Sequence, residues 1–237
     1  FNLLFKIDTT LFVNKLFLVS LDFTTLFTMD MFVLNFCPIS ISARVSLGKQ
    51  EPPKAGPAYG GSCFPKDTRA LIDIGQKFRI NMSIVKSVVK SNDLRKSLFT
   101  KRVVSILNNK LKNKRITFLG VTFKPNTDDI RESSSLVIIP ALVKAGAILK
   151  VHDPAYTKYF NHFKEFKEVK WNRSVFNAIK DSDLVIIHTE WNEYRALDLK
   201  KTKKILKHPN ILDLRNIFNK SEMIKLGFNY KSIGNKE

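Results

Sequence analysis

From Lys114 onward the chain alternates short apolar runs with helical segments, and this alternation constrains the fold more than any other feature. Arg115–Val121 reads as a strand, followed by a polar loop, Lys124–Arg131. Glu132 to Lys144 reads as a helix, begun by Ser133–Ser135 and stopped by Gly146. Ile148–Val151 is a strand that ends at Asp153-Pro154. Beyond a Lys- and Phe-rich stretch, Ser174–Lys180 reads as helix, Leu184–His188 as a buried strand and Ile211–Leu214 as another. Ser221–Leu226 reads as a short helix and Tyr230–Ile233 as an edge strand. Strands separated by helices predict an α/β fold with a parallel, doubly wound sheet, since parallel neighbours need a crossover between them. Ligands of such sheets lie beyond the carboxyl ends of the strands. The loops after Gly120, His152, His188 and Asp213 therefore share one candidate binding edge. No GxGxxG occurs, so no fingerprint argues for dinucleotide binding.

The preceding segment is organised differently. Pro52, Pro53, Gly56, Pro57, Gly60 and Gly61 make residues 44–62 an irregular loop. Pro65 suits the first turn of a helix capped near Ser62 or Cys63, continued by Ala70, Leu71, Ile74 and Phe78. A second helix, capped by Asn81 or Ser83, runs to about Asn109 and connects to the sheet, with both helices packed outside it. Three regions follow: 1–43, an uninterpreted apolar segment; 44–109, a loop and helical connector; and 110–237, the α/β domain. The first segment holds only Lys6 and Lys15 against Asp8, Asp22 and Asp30, and eight of the nineteen Phe. Its uncharged run Met31–Ser42 is well short of the roughly 20 residues of a spanning helix. It also has no basic start of the kind a signal peptide needs. The reading is a protein without membrane attachment.

Lys+Arg 40 against Asp+Glu 21 gives a net charge of +19, which attracts polyanions. Only short basic runs occur, such as Lys200-Lys201 and Lys203-Lys204, without interleaved stacking aromatics, so the charge reads as a solvated surface around an anion-binding enzyme rather than a nucleic-acid site. Two cysteines, Cys37 and Cys63, with no CxxC or Cys/His cluster, suggest neither a disulfide scaffold nor a metal, and fit a reducing cytoplasm.

The stretch that carries chemistry is Gly60-Gly61-Ser62-Cys63-Phe64-Pro65-Lys66-Asp67. Two glycines let the backbone approach a ligand closely. The thiol sits at a predicted helix start, where unpaired N–H groups and the dipole favour a thiolate. Lys66 adds positive charge, and Asp67 is placed to orient a water or a lysine. A lone cysteine beside a tight turn is more often simply buried. Lys124 and Arg215, at strand ends, are the residue types a diphosphate requires. Asp128, Asp129 and Glu132 read as groups that fix the loop around Arg131 and cap the next helix. His152 and His188 read as structural residues at strand ends.

GPAYGGSCFPKDTRAL (Gly56–Leu71) resembles the active-site segment of UDP-glucose 6-dehydrogenases, in the UDP-glucose/GDP-mannose dehydrogenase family. FLGVTFKPNTDDIRESSSLVIIPAL (Phe118–Leu142) resembles that family's UDP-binding domain, and VHDPA, LVIIHTEWNEYRALD and ILDLRN extend the match over roughly residues 54–233. The resemblance implies a Rossmann-like sheet and a four-electron oxidation using two NAD. In that scheme a sugar hydroxyl becomes an aldehyde, Cys63 forms a thiohemiacetal and then a thioester, and water releases the carboxylate. By the same carry-over, Cys63 and Asp67 are catalytic. Lys54, Ala55, Gly56, Tyr59, Gly60, Phe123, Lys124 and Arg215 would hold the UDP-sugar, and Cys63, Lys66 and Arg131 would meet NAD, with no metal. A homodimer is implied as well. The flanking Ser62 and Phe64, with Phe123-Lys124, look more like the UDP-glucose type than like GDP-mannose or UDP-N-acetylmannosamine dehydrogenases. The match departs from the family in two places. Residues 1–43 resemble neither its NAD-binding half nor the helix that donates a catalytic Lys and Asn, and Leu47 stands where the family has an interface-crossing Arg. The resemblance therefore implies a truncated chain that binds a nucleotide sugar without turning it over alone, or a non-catalytic binding or dimerisation remnant.

Overall fold

The computed structural model describes residues 56–234. Helix α1 (Phe64–Lys77) and the long α2 (Ser83–Ile106) lead into β1 (Arg115–Leu119), α3 (Ser135–Lys144) and β2 (Ile148–His152). Two 3-10 turns, Lys158–His162 and Lys164–Phe166, precede β3 (Lys170–Trp171) and α4 (Val175–Ile179). The chain then runs through β4 (Leu184–Ile187), α5 (Asn192–Arg195), α6 (Leu199–Ile205), β5 (Asn210–Asp213), α7 (Lys220–Lys225) and β6 (Asn229–Ser232). Every ladder is parallel, in the order β3-β2-β1-β4-β5-β6. This is the doubly wound sheet that the alternation predicts. Its order reverses between β1 and β4, so a crevice opens where Gly120 and His188 leave those two strands.

The central strands are predominantly apolar because both of their faces are covered. On one face Ile116, Phe118, Leu149, Val151, Leu184, Ile186 and Leu212 pack with Phe99 and Val103 of α2, Leu107 just beyond its end, and Ile138, Ile139 and Leu142 of α3. On the other, Leu119, Val185, Ile187 and Ile211 meet Val175 and Ile179 of α4, Tyr194 and Met223. Successive residues of a strand point to opposite faces, so β1 and β4 each feed both cores. Buried Thr117 of β1 is satisfied within this core; its hydroxyl donates to the Ala178 carbonyl at 2.6 Å. The carboxyl half of α2 thus lies against the sheet, as expected for the connector.

Several boundaries move. The helix predicted from Glu132 begins only at Ser135, because Glu132 has φ +56, a left-handed value that a helix does not continue through. The Ser133 and Ser135 hydroxyls both donate to the Val121 carbonyl at 2.7 Å and fold this turn back onto the end of β1. Nor do Asp128, Asp129 or Glu132 cap α3; Ser134 holds that position. Helix α2 stops at Ile106, three residues early, where Asn108 and Asn109 turn left-handed. The Lys- and Phe-rich stretch hides edge strand β3, whose Trp171 stacks on Tyr156 at 4.4 Å. Lys54, Ala55, Leu47, Cys37 and the whole of 1–43 lie outside the described residues. Among those described, no helix is long and apolar enough to cross a membrane, and no group of three or more His, Cys, Asp or Glu could hold a metal.

At the amino edge of the sheet, Asp183 receives the Arg115 amide at 2.9 Å and Lys207 at 3.1 Å. Burial pulls its carboxyl upward, but these partners outweigh burial and leave it below the ordinary range. A surface hollow of about 570 Å³ at this edge, lined by Val104, Asn109–Lys112 and Ala145, holds none of the predicted site residues.

Candidate active site

Cys63 caps α1 and is exposed; its carbonyl accepts the Asp67 amide at 2.8 Å. Pro65 occupies the first turn, where its missing N–H leaves no donor unpaired. Ser62 Oγ lies 3.6 Å from the sulfur. Lys66 and Asp67 pair with each other at 2.8 Å and are both well exposed. That hydrogen bond, above all, holds the Lys66 ammonium above its ordinary value, and the Cys63 sulfur adds to the effect. The thiol therefore sits at a helix N-terminus within electrostatic reach of two cations, Lys66 and Arg131.

The glycine loop before it is docked on the polar loop after β1. The Gly61 amide donates to the Arg131 carbonyl at 2.8 Å. Gly61 has φ +88, and a Cβ there would stand 2.8 Å from the Phe123 ring. A Cβ on Gly60 would meet the Glu132 carbonyl oxygen at 2.6 Å. Both glycines are thus required by close approach. Tyr59 is fixed by its amide to Asn92 Oδ1 of α2 at 2.8 Å and by an edge-on contact with Phe64 at 4.7 Å.

Arg215 ties this assembly to the sheet. The Asp213 carboxylate, which receives the amides of Arg215 and Ile217 at 2.8 Å and the Tyr230 hydroxyl at 2.7 Å, sets the turn after β5. Burial pushes that carboxyl up, and these donors only partly offset it. The turn sends the Arg215 side chain across the carboxyl edge. Its Nε donates to the His188 carbonyl at 2.8 Å and lies 3.0 Å from Glu190 Oε2, and its Nη2 donates to the Phe123 carbonyl at 2.7 Å. A Cβ on Gly56 would lie 2.7 Å from Nη1, so the guanidinium also underlies the start of the glycine loop. Lys124 lies over the Phe123 ring at 5.3 Å, while Arg131 is pinned by a two-pronged pair to Asp129 at 2.9 Å and remains exposed. That pair fixes the loop, as expected of Asp129.

Gly56, Tyr59, Gly60, Cys63, Phe123, Lys124, Arg131 and Arg215 are therefore brought to one edge. Lys66 and Asp67 lie on the first turn beside it. Chemically the edge offers an accessible thiol and two or three cations around a glycine-lined surface, which suits an anionic substrate with an electrophilic carbon. His152 and His188 are buried, as their structural reading requires: His152 bonds Tyr194 and His188 bonds Ser134 and Thr189. Arg69, Asn92, Lys96 and Glu190 were not predicted. They sit on helices and a loop with no local motif, and only the tertiary packing makes them partners of the site.

A family model described as UDP-glucose/GDP-mannose dehydrogenase family, UDP binding domain, matches residues 117–220, and the model of that family's central domain matches residues 40–94. The UDP-glucose 6-dehydrogenase of Rhizobium meliloti (strain 1021) is 42% identical over 180 residues, covering 76% of this chain and 41% of that protein. That of Rickettsia prowazekii (strain Madrid E) is 38% identical over 182 residues, covering 77% and 42%. Among solved structures, a UDP-glucose dehydrogenase from the hyperthermophilic archaeon Pyrobaculum islandicum aligns with a TM-score of 0.64 at 27% identity, over 82% of this chain and 42% of that one. The chain spans about two fifths of the length of the relatives it matches.

Proposed function

The chain belongs to the UDP-glucose/GDP-mannose dehydrogenase family, and from that premise we propose that its carboxyl edge binds UDP-glucose and that Cys63 carries the covalent step of its oxidation to UDP-glucuronate. One observation supports this above the rest. The glycine loop that precedes the exposed thiol is hydrogen-bonded, from the Gly61 amide to the Arg131 carbonyl, to the same loop whose Phe123 carbonyl receives Arg215 and whose Phe123 ring lies under Lys124. Substrate charge and the reacting sulfur thus face one edge. Lys124 and Arg215 would neutralise the diphosphate, and Gly56, Tyr59 and Gly60 would lie along the sugar. Cys63 would add to the C6 aldehyde to give a thiohemiacetal, and the derived thioester is hydrolysed by water to carboxylate and free thiol. NAD, when bound, supplies the hydride acceptor. The residues at hand fit it in one respect: Arg131 is held rigid by Asp129, yet is two-thirds exposed on the side of Cys63, with Lys66 nearby. Asp67 would act through Lys66, with which it pairs at 2.8 Å and whose ammonium it orients beside Cys63.

Titration calorimetry of the 237-residue chain with UDP, UDP-glucose and GDP-mannose tests the reading. Binding of the two uridine ligands should exceed that of GDP-mannose. Arg215→Ala should weaken it about ten- to a hundredfold, the worth of a charge-assisted hydrogen bond, and Lys124→Ala by less. Indifference to both substitutions would remove the proposed diphosphate site.

The same family reading implies a second copy of the chain. Ile74 on α1 and Phe78 at its carboxyl end lie one turn apart, as do Leu94 and Leu98 on α2, and all four are more than half exposed, as are Ile80 and Ile84. Such a stripe fits a self-complementary dimer face. Sedimentation should show a dimer that Leu98→Asp converts to monomer; a monomeric wild-type chain at micromolar concentration would contradict this.

A further inference from the structure

Outside the residues already assigned, one cluster of charges joins three elements at a single carboxylate. Glu132 receives Arg69 of α1 through both guanidinium prongs, at 2.9 and 3.3 Å, and Lys96 of α2 at 3.2 Å. Lys96 is nearly fully buried, and its second carboxylate, Asp93, is farther away at 3.6 Å. Glu132 itself is held left-handed at φ +56. That backbone presses its carbonyl against Gly60, while the carbonyl of Arg131 takes the Gly61 amide. One residue pair therefore grips the thiol's glycine loop by the main chain and the thiol's helix by the side chain. The hydrogen bond from Arg69 above all, with that from Lys96, keeps the Glu132 carboxyl below its ordinary range.

We infer that Glu132 is a positioning residue: its clasp on Arg69 and Lys96 sets Cys63 relative to the Phe123–Lys124 loop and transmits nucleotide occupancy of that loop to the thiol. This rests on the nucleotide reading above. Three features of the geometry make it more than a structural salt bridge. The Gly61 amide bonds the Arg131 carbonyl while Gly60 packs on the Glu132 carbonyl, so a shift of residues 131–132 is passed directly to the glycine loop. Helix α1 reaches the β1 loop through Arg69, under two turns beyond Cys63. The buried Lys96 has no comparably close carboxylate, so removing the Glu132 charge leaves it facing Asp93 alone. A nucleotide that orders residues 123–131 then tightens 132, and 132 tightens α1. Without the carboxylate the nucleotide still binds its own loop, but the thiol no longer responds.

The test follows carbamidomethylation of Cys63 by iodoacetamide, read by peptide mass spectrometry, on the full chain with and without saturating UDP. UDP lacks the sugar that would cover the sulfur, so any protection passes through the protein. In the wild type, UDP is expected to slow the reaction roughly fivefold, the lower end of ordinary coupling between sites. Glu132→Gln should alkylate several-fold faster without ligand and lose the UDP effect, while calorimetry still shows UDP binding. Arg69→Lys, which keeps the charge but not the fork, should retain part of the protection and serves if Glu132→Gln fails to fold. An ordinary structural role predicts faster alkylation with the protection ratio intact, and that result overturns the inference. Wild-type rates in Glu132→Gln overturn it too. If calorimetry shows no UDP binding to the wild type, the nucleotide reading falls, and the transmitted effect falls with it.

Discussion

Gly120→Ala is expected to lower the melting temperature by roughly 10 °C and to weaken nucleotide binding at a site it does not touch. Gly120 ends β1 with φ +83, and a Cβ built on it would stand 2.4 Å from Thr189 Cβ and 3.0 Å from the Thr189 backbone nitrogen. Real Cβ atoms do not approach so closely, and one of the two atoms is backbone, so a rotamer change alone cannot relieve the clash. The left-handed conformation costs about 1–2 kcal/mol for a residue with a side chain, and overpacking a tight contact about 1–3 kcal/mol more. For a domain of this size each kcal/mol shifts the melting temperature by about 2–4 °C. The functional consequence passes through Thr189. Its hydroxyl donates to the Thr122 carbonyl at 2.6 Å and meets His188 Nδ1 at 3.1 Å, and the His188 carbonyl holds Arg215. A displaced Thr189 moves the platform under that guanidinium. Gly234→Ala is the internal control: φ is +75 there, but nothing lies within 4 Å of the added carbon. Differential scanning calorimetry of both variants separates the steric part from the backbone part. Equal shifts would show that the contact with Thr189 relaxes at no cost.

Much of this was legible in the sequence because parallel strands covered on both faces must be largely apolar. Arg115–Leu119 and Leu184–Ile187 announce themselves in that way, and Gly146 marks the end of α3 by needing φ +86. Gly60, Gly61 and Cys63 were legible because close approach and a helix start leave local marks. The failures share a cause. At Glu132 the sequence pattern is helical, yet two serine hydroxyls tied to Val121 and two cations from distant helices hold it left-handed, so tertiary partners override local preference. Edge strand β3 has only two residues, Lys170 and Trp171, too few for any periodicity. Lys96 looks like one more solvated lysine on a basic helix, and Glu190 like a loop carboxylate; nothing local separates them from their exposed neighbours. The site is thus readable where backbone geometry dictates residue type. It is opaque where a charge acquires meaning from an element tens of residues away.

Stability is expected to decline as the pH falls below about 6.5, well before ordinary carboxylates titrate, and His188 is the reason. It is fully buried just beyond the end of β4, with Ser134 Oγ at 2.7 Å from Nε2, the Phe118 ring at 5.1 Å and the Arg215 charge acting on it. The Thr189 hydroxyl spends its proton on the Thr122 carbonyl, so it can only accept from Nδ1–H; Nε2 then accepts from Ser134. The neutral ring is therefore fully satisfied. Burial first, and then the Arg215 charge, push the imidazole down from 6.5 to about 3. In the unfolded chain it takes up a proton near pH 6.5, whereas the folded chain resists until far lower. The neutral form's stabilisation is fully present above 6.5 and drains away between 6.5 and 3, at up to about 1.4 kcal/mol per pH unit. At pH 5 the loss is about 2 kcal/mol. His152, lowered by burial with Glu193 opposing, contributes in the same direction. Glu132 and Asp129, held below their ordinary range, extend the decline at more acid pH, while Asp153 and Asp213, raised by burial, work against it. Urea unfolding at pH 7.0 and 5.0 measures the difference. His188→Gln keeps hydrogen-bonding capacity but cannot titrate, so it should be less stable at pH 7 and distinctly flatter between the two pH values. If its pH dependence matches the wild type, the acid sensitivity lies in the carboxylates and not in the ring beneath Arg215.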